Sequence, residues 1–379
     1  MIRIGFFAPL LTTGGTQRHL QQVLRLLDAK RFSARVYTLR PGGDVEAELR
    51  AEGVEVRSLA VGDRLGTPRA VRAMLRTARE LRAEGVQVVH GYQWRPALVG
   101  AIVARLAGVP LVLAGKRSLT EEDARARLAW RVLGRAVDTI VANADAIRSD
   151  AERQGVAARW AIVPSGVDVE RFEGVVATRE AKVALGLEPG RPVVGTVGRL
   201  EERKGHADLL LATRTMLRMA NGLSPQVVIV GDGPLREELV RQAADLGVLG
   251  SVRFTGQLAD VRVALSAMDV FVLSSTAEGM PNALLEAMAA RRPVVATAVG
   301  GMSEVLDGER TGVLVPPQDP DALGRAILDL LADPARAGRL ATAAQSRVAR
   351  EFGARAMVAR LERLYEERLA AGGGRRRPA

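Results

Sequence analysis

Two glutamates stand eight residues apart in the stretch EGMPNALLEAMA, at Glu278 and Glu286. Gly279, Met280, Pro281 and Asn282 follow the first as a turn-forming run. From Asn282 onward Ala283, Leu284, Ala287 and Met288 recur at helical spacing. A carboxylate accepts hydrogen bonds from both hydroxyls of a vicinal diol. The first turn of a helix offers unpaired N–H groups and a partial positive charge, which suit a phosphate. The spacing therefore allows a diphosphate on the helix start with a sugar diol at each glutamate. The plain alternative is that Glu278 caps the helix and Glu286 faces water.

Other loops carry compatible groups. VGTVGRLEERKGH (194–206) ends a strand at Gly198, where backbone can approach a ligand, and then presents Arg199 and Lys204, two cations suited to a diphosphate. The alternative is a solvated charged turn, since Glu201, Glu202 and Arg203 share the loop. LTTGGTQRHL (11–20) sets Gly14 and Gly15 before a first helix, and its N–H groups could face an anion, but it is not G-x-G-x-x-G. AGKRS (114–118) lacks the features of a Walker A loop. In VGDGPLREEL (230–239), Gly231 and Gly233 could meet a base or ribose, or form a plain turn. His19, His90 and His206 each read as lying in or beside a loop at a strand's end, without metal-ligand spacing.

These loops need a scaffold. Val/Ile-rich runs alternate with amphipathic stretches along all 379 residues. Strands are expected at 3–8, 35–39, 54–58, 86–90, 110–114, 139–142 and 160–163, then at 193–197, 226–230, 252–254, 270–273, 294–297 and 312–315. Helical patterns include 16–27 and 68–84. Such alternation implies parallel sheets covered by helices on both faces. PSGVDVERFEG (164–174) marks a break between two α/β halves, whose strands would aim their carboxyl ends into a shared cleft. The expected domains are 1–165 and 166–353, with a last helix at about 354–371 and a disordered tail at 372–379.

Composition narrows the classes. Cysteine is absent, so no disulfide framework or thiolate metal site exists. The net charge is +11. Residues 1–165 hold 26 Lys/Arg against 16 Asp/Glu, and the rest hold 28 against 27, so an anionic partner would meet the first half. Aromatic residues are 3%, too few for the stacking platforms of a nucleic-acid binder. The window 96–115 is apolar but Pro110 splits it into a helix-length and a strand-length piece, so no spanning helix is expected. The start, MIRIGFFAPLLTTGG, reads as a strand rather than a signal peptide. A cytoplasmic protein is expected, with peripheral contact at the inner face of the cell membrane as an added reading.

Taken in order, GGTQRH, VPSGVDVERF, VGRLEERKG, VGDGP, RFTGQL, EGMPNALLEAMAARRPVVAT, GGMSEVL and TGVLVP resemble the family 4 retaining glycosyltransferases of GT-B fold, over about residues 3–365. The E-x7-E motif is the most specific part. The resemblance implies a UDP- or GDP-sugar as co-substrate, held mainly by the second domain, and no other cofactor and no catalytic metal. Glu278 would contact the donor sugar, Glu286 the ribose, and Arg199 and Lys204 the diphosphate. Backbone from Gly279, Met280, Pro281, Asn282, Ala283 and Leu284 would line the donor, with Gly198, Gly231, Gly15 and Arg117 nearby. The acceptor, a glycan, lipid-linked or small molecule of envelope or exopolysaccharide synthesis, would meet the first domain, to which the last helix, about 354–371, would cross back.

Three positions depart from the pattern. Lys116 and Arg117 stand where many relatives have His, Ser165 where Asn is common, and Arg291-Arg292 where a small residue is usual. Rival readings are a nucleotide-sugar-binding protein without transfer, and another GT-B enzyme such as a sugar-nucleotide epimerase or a glycogen-synthase-like polymerase. Helix 68–84 carries Arg69, Arg72, Arg76 and Arg79 opposite or beside Val71, Leu75, Ala78 and Leu81. It either rests its basic stripe on anionic lipid or packs its apolar face on the sheet with arginines in water.

Overall fold

The computed structural model describes residues 1–12, 14–62, 64–119, 123–175, 178–219 and 222–372. The chain divides into two compact units, Met1–Ser165 with Ala354–Ala379, and Gly166–Gly353. The expected disordered tail lies, from residue 373, outside the described residues.

Unit 1 alternates strand and helix: β1 (Ile2–Ala8), α1 (Gly15–Leu26), β2 (Phe32–Thr38), α2 (Asp44–Ala51), β3 (Val56–Ser58), α3 (Pro68–Ala83) and β4 (Val88–Tyr92). Then come α4 (Trp94–Ala107), β5 (Leu111–Lys116), α5 (Ala124–Ala136), β6 (Thr139–Ala142), α6 (Asp145–Arg153) and β7 (Trp160–Ile162). Unit 2 holds α7 (Arg179–Ala184), β8 (Val193–Val197), α8 (His206–Met219), β9 (Gln226–Val230), α9 (Arg236–Asp245), β10 (Val252–Gly256), α10 (Val261–Ala267) and β11 (Val270–Leu273). It continues with α11 (Asn282–Ala289), β12 (Val294–Thr297), α12 (Met302–Val305), β13 (Val313–Val315), α13 (Pro320–Ala332) and α14 (Pro334–Glu351). The last helix, α15 (Ala354–Ala370), belongs to unit 1.

All strand pairs are parallel, in the orders β3-β2-β1-β4-β5-β6-β7 and β10-β9-β8-β11-β12-β13. Each order reverses once, between β1 and β4 and between β8 and β11. Loops leaving the carboxyl ends at such a reversal diverge and open a crevice where ligands of α/β sheets sit. Two of the loops singled out in unit 2 leave β8 and β11, at the reversal, and the third, with Gly231 and Gly233, leaves β9.

Strand alternation sends neighbouring side chains to opposite faces. Phe7, Val112 and Ala114 meet α3, α4 and α5 in one core, while Phe6, Leu111 and Leu113 meet α1, α2 and α15 in the other. Arg117, just past β5, follows the odd-numbered set toward α1 and α15. Lys116 faces the other way, its ammonium 4.9 Å from the Trp130 ring centroid. The apolar window at 96–115 is α4 and β5, divided at Gly108 (φ 75°). No described helix is long and apolar enough to cross a membrane.

Two sequence expectations need correction. The buried face of α3 is Ala70, Ala73, Met74, Thr77, Ala78 and Leu81, whereas Val71 and Leu75 are 41% and 39% exposed and share the arginine side. Two of the three histidines are also placed differently. His19 is buried on α1 and His90 lies within β4, whereas His206 opens α8 directly beside the loop after β8, as expected. Buried imidazoles are tolerated because they stay neutral. Burial pushes His90 down to about 3 and His206 to about 4, and takes His19 well below its usual value.

The two loops at the unit 2 reversal are pinned by backbone contact. Gly205 has φ 62°, and a Cβ there would lie 1.9 Å from the Ser274 carbonyl oxygen. Ser274 Oγ donates to the Gly205 carbonyl at 2.8 Å, and the Thr276 N–H donates to the Arg203 carbonyl at 2.8 Å. Gly231 (φ 136°) is pressed equally close to the Gly198 carbonyl. At Gly198 itself a Cβ would touch only the Lys204 stem, at 3.8 Å.

Gly205→Ala should therefore cost more than about 1 kcal/mol in urea unfolding, while Gly198→Ala should stay within about 0.5 kcal/mol. In unit 1, Tyr365 is fully buried beneath the sheet and bonds His90 Nδ1 at 2.8 Å. Tyr365→Ala should cost about 3–5 kcal/mol by the same measurement.

Candidate functional site

The loop after β8 carries a short 3-10 turn, Glu202–Lys204, that ends at Gly205 in the left-handed region. This turn aims Lys204 inward. The loop after β11 runs through Ser275 and Glu278 to α11. Crossing the two loops brings Lys204 and Glu278 together across 74 residues of sequence, with Nζ donating to Oε1 at 2.5 Å. Ser275 Oγ donates to the same oxygen at 3.0 Å, and Arg203 Nη1 stands 3.8 Å from Oε2. The side chains of Glu278 and Lys204 are only 6% and 16% exposed. A carboxylate this buried requires charged partners, and two cations with a hydroxyl supply them.

Glu278 does not cap the helix. The N-cap of this eight-residue helix is Pro281, which provides no side-chain cap. Glu286 lies one turn along, half-buried, and has a polar partner of its own. Gly279, Met280 and Pro281 are buried at the approach to the helix, and Asn282 and Ala283 are half-buried. Leu284 is in the core.

The candidate residues are not all gathered at one point. Arg199 starts the same loop as Lys204, but its side chain is 69% exposed and its Nε lies 3.7 Å from Glu201 Oε2, away from Glu278. Its carbonyl is 3.2 Å from His206 Nε2. Gly231 and Gly233 fit closely against Gly198 and Leu200, which accounts for their small size by packing alone. Gly15, the first residue of α1, and Arg117 belong to unit 1. Ser275 and Arg203 were not singled out by sequence. Only the spatial crossing of the loops reveals them.

Arg292 finds its explanation here. It is 8% exposed and its guanidinium donates to the carbonyls of Ala290, Met268 and Val175 at 3.0, 3.1 and 3.2 Å, tying α11 to the segment before α7. A small residue could not bridge those carbonyls.

Two family models match the chain. "Glycosyltransferase Family 4" covers residues 13–171 and "Glycosyl transferases group 1" covers 191–333. The D-inositol 3-phosphate glycosyltransferase 1 of Catenulispora acidiphila is 34% identical over 361 residues, spanning 86% of this chain and 84% of the relative. The lipopolysaccharide core biosynthesis glycosyltransferase LpsE of Rhizobium meliloti is 29% identical over 357 residues, spanning 91% and 94%. Among solved structures, Anabaena HepE in complex with UDP superposes with a TM-score of 0.83 at 21% identity, covering 97% of this chain and all of that one. With its two parallel sheets and both halves matched, the chain belongs to the family 4 glycosyltransferases, nucleotide-sugar-dependent enzymes of the GT-B fold.

Proposed function

We propose that unit 2 holds a UDP- or GDP-sugar at the crossing of its two loops and that the chain transfers the sugar with retention of configuration, without a metal. The observation that carries this reading is the buried Lys204–Glu278 pair beside the uncapped start of α11. It sets a cation, a carboxylate and helix N–H groups within one short stretch of the molecule, at the strand-order reversal. Lys204 and Arg199 take the diphosphate, and the N–H groups around Met280–Leu284 assist. Glu278 holds the sugar hydroxyls and Glu286 the ribose. When the bond from the anomeric carbon to the diphosphate breaks, negative charge grows on the leaving phosphate and these positive groups offset it. The acceptor oxygen bonds the same carbon and gives its proton to the departing phosphate. UDP in the HepE structure supports a uridine donor.

The acceptor is read as an envelope glycan or lipid-linked sugar handled by unit 1. The Rhizobium meliloti relative, named for lipopolysaccharide core biosynthesis, supports this. So does the outer face of α3, α4 and α5. These neighbouring helices expose Val71, Leu75, Ile102, Leu106, Leu128 and Val132. Arg69, Arg72, Arg76 and Arg79 are exposed on α3, and none has a carboxylate partner among the described residues. Apolar side chains interleaved with unpaired cations suit an anionic bilayer surface. The chain would then work at the cytoplasmic face of the membrane.

Titration with UDP and GDP should raise the melting temperature, and Glu286→Ala should lose most of that shift. An unchanged shift removes Glu286 from the donor site. Lys204→Met should lower the transfer rate about 100-fold or more, read as turnover of a nucleotide-sugar. Replacing Arg72, Arg76 and Arg79 together by Gln should weaken sedimentation with phosphatidylserine vesicles about 100-fold, at about 1 kcal/mol per charge. Equal partitioning of the wild-type protein to neutral and anionic vesicles would overturn the membrane reading.

A further inference from the structure

Arg117 has surroundings that packing alone does not explain. It follows β5 on the side of the sheet covered by α1 and α15. One guanidinium nitrogen donates to Ser165 Oγ at 2.9 Å, and Asn143 Nδ2 donates to the same oxygen at 3.0 Å. No carboxylate pairs with Arg117 among the described residues. Desolvation pushes its pKa down to about 10, opposed by the Tyr92 phenol. His19, His90 and Tyr92 line one small cavity with it. His19 Nε2 is 3.2 Å from the Tyr92 hydroxyl, and His90 Nδ1 is held by Tyr365. His19 Nδ1, His90 Nε2 and Asn143 Oδ1 are buried without partners among the described residues. The Arg117 charge also lowers both histidines.

A desolvated guanidinium without a counter-charge is costly, and among the described residues this one sits with neutral polar groups rather than acids. Its planar fork matches two oxygens of one anion. The residue remains partly exposed, so a ligand can reach it. It also stands where ligands of open α/β sheets bind, at the carboxyl ends of strands beside the reversal between β1 and β4. Within the sheet, β4 supplies Tyr92, β5 leads into Arg117, and β6 leads into Asn143.

We propose that Arg117, steadied by Ser165 and Asn143, holds a carboxylate or phosphate oxyanion of a substrate, carried by the transferred sugar or by the acceptor. This rests on the reading of the chain as a transferase whose unit 1 meets those groups. The substrate of this enzyme is thereby acidic at that point, and a neutral analogue leaves the guanidinium unpaired.

The three histidines separate this proposal from the donor reading. His19 and His90 adjoin Arg117, while His206 lies beside the Lys204 loop. Their carbon-13-labelled imidazole resonances would be followed during titration of the full chain. A UDP-induced shift at His206 supports donor binding in unit 2, and silence there counts against that reading alone. For Arg117 the probes are UDP-glucuronate against UDP-glucose, and inositol 1-phosphate against inositol in the presence of UDP. At least one charged probe should shift His19 or His90 saturably and bind at least tenfold more tightly than its neutral counterpart. A glucuronate response assigns the anion to the donor sugar, and a phosphate response assigns it to the acceptor. Arg117→Gln should abolish the tenfold preference while His206 still responds to UDP as in the wild type. Arg117→Lys, which keeps the charge but loses the fork, should retain only part of it and serves alone if Arg117→Gln does not fold. Equal binding of charged and neutral probes, silence at His19 and His90 with both charged probes, or a preference kept in full by the variants would overturn the proposal.

Discussion

Two backbone loops cross at Gly205, and the chemistry of unit 2 depends on that crossing. A side chain at this position would strike the Ser274 carbonyl, so the loops can touch only because none is present. Their contact fixes where the next side chains fall. Lys204 precedes the glycine by one residue, and Glu278 follows the serine by four. A buried ion pair made from two loops has little slack, because a small relative shift would leave a desolvated carboxylate unpaired. The sheet supplies the rigidity. Both strands that launch these loops are central, flanked by hydrogen-bonded neighbours on each side, and the polar groups therefore stand on the stiffest part of the unit.

Much of this scaffold could be read from residue pattern. The Val-rich runs at 193–197, 226–230, 270–273 and 294–297 coincide with β8, β9, β11 and β12 to the residue, since a central parallel strand is buried on both faces and reads as a continuous apolar run. The helix expected from residue 68 does start at Pro68, where the Thr67 hydroxyl accepts from the Ala70 N–H. The proximity of Lys204 and Glu278 was not derivable from spacing, because 74 residues separate them; the family resemblance placed both at one donor. The role of Arg292 could not be anticipated either, since two of its three carbonyl partners lie 24 and 117 residues away. The face of α3 was misjudged because Val71 and Leu75 look like core residues, and only the packing of α4 beside α3 shows that alanines and Met74 fill the interior.

The polar cluster of unit 1 shows a different economy. His19, His90, Tyr92 and Tyr365 form a connected set inside a core that otherwise consists of aliphatic and aromatic side chains. Two of their nitrogens, His19 Nδ1 and His90 Nε2, are unsatisfied among the described residues. Such groups lower stability unless something else requires them, and their position at the carboxyl end of the sheet is where a requirement of ligand binding would fall.

Tyr365 belongs to α15, the last helix, yet it completes a core whose strands come from the first 165 residues. During synthesis on the ribosome, the opening half of the polypeptide, covered on that flank only by α1 and α2, must therefore wait with the rest of the flank open until α15 has emerged. The second half has all its own elements by residue 353 and can close first. Order of synthesis and order of completion are thus reversed, and a nascent chain stalled before α15 emerges would present the open part of that flank to chaperones.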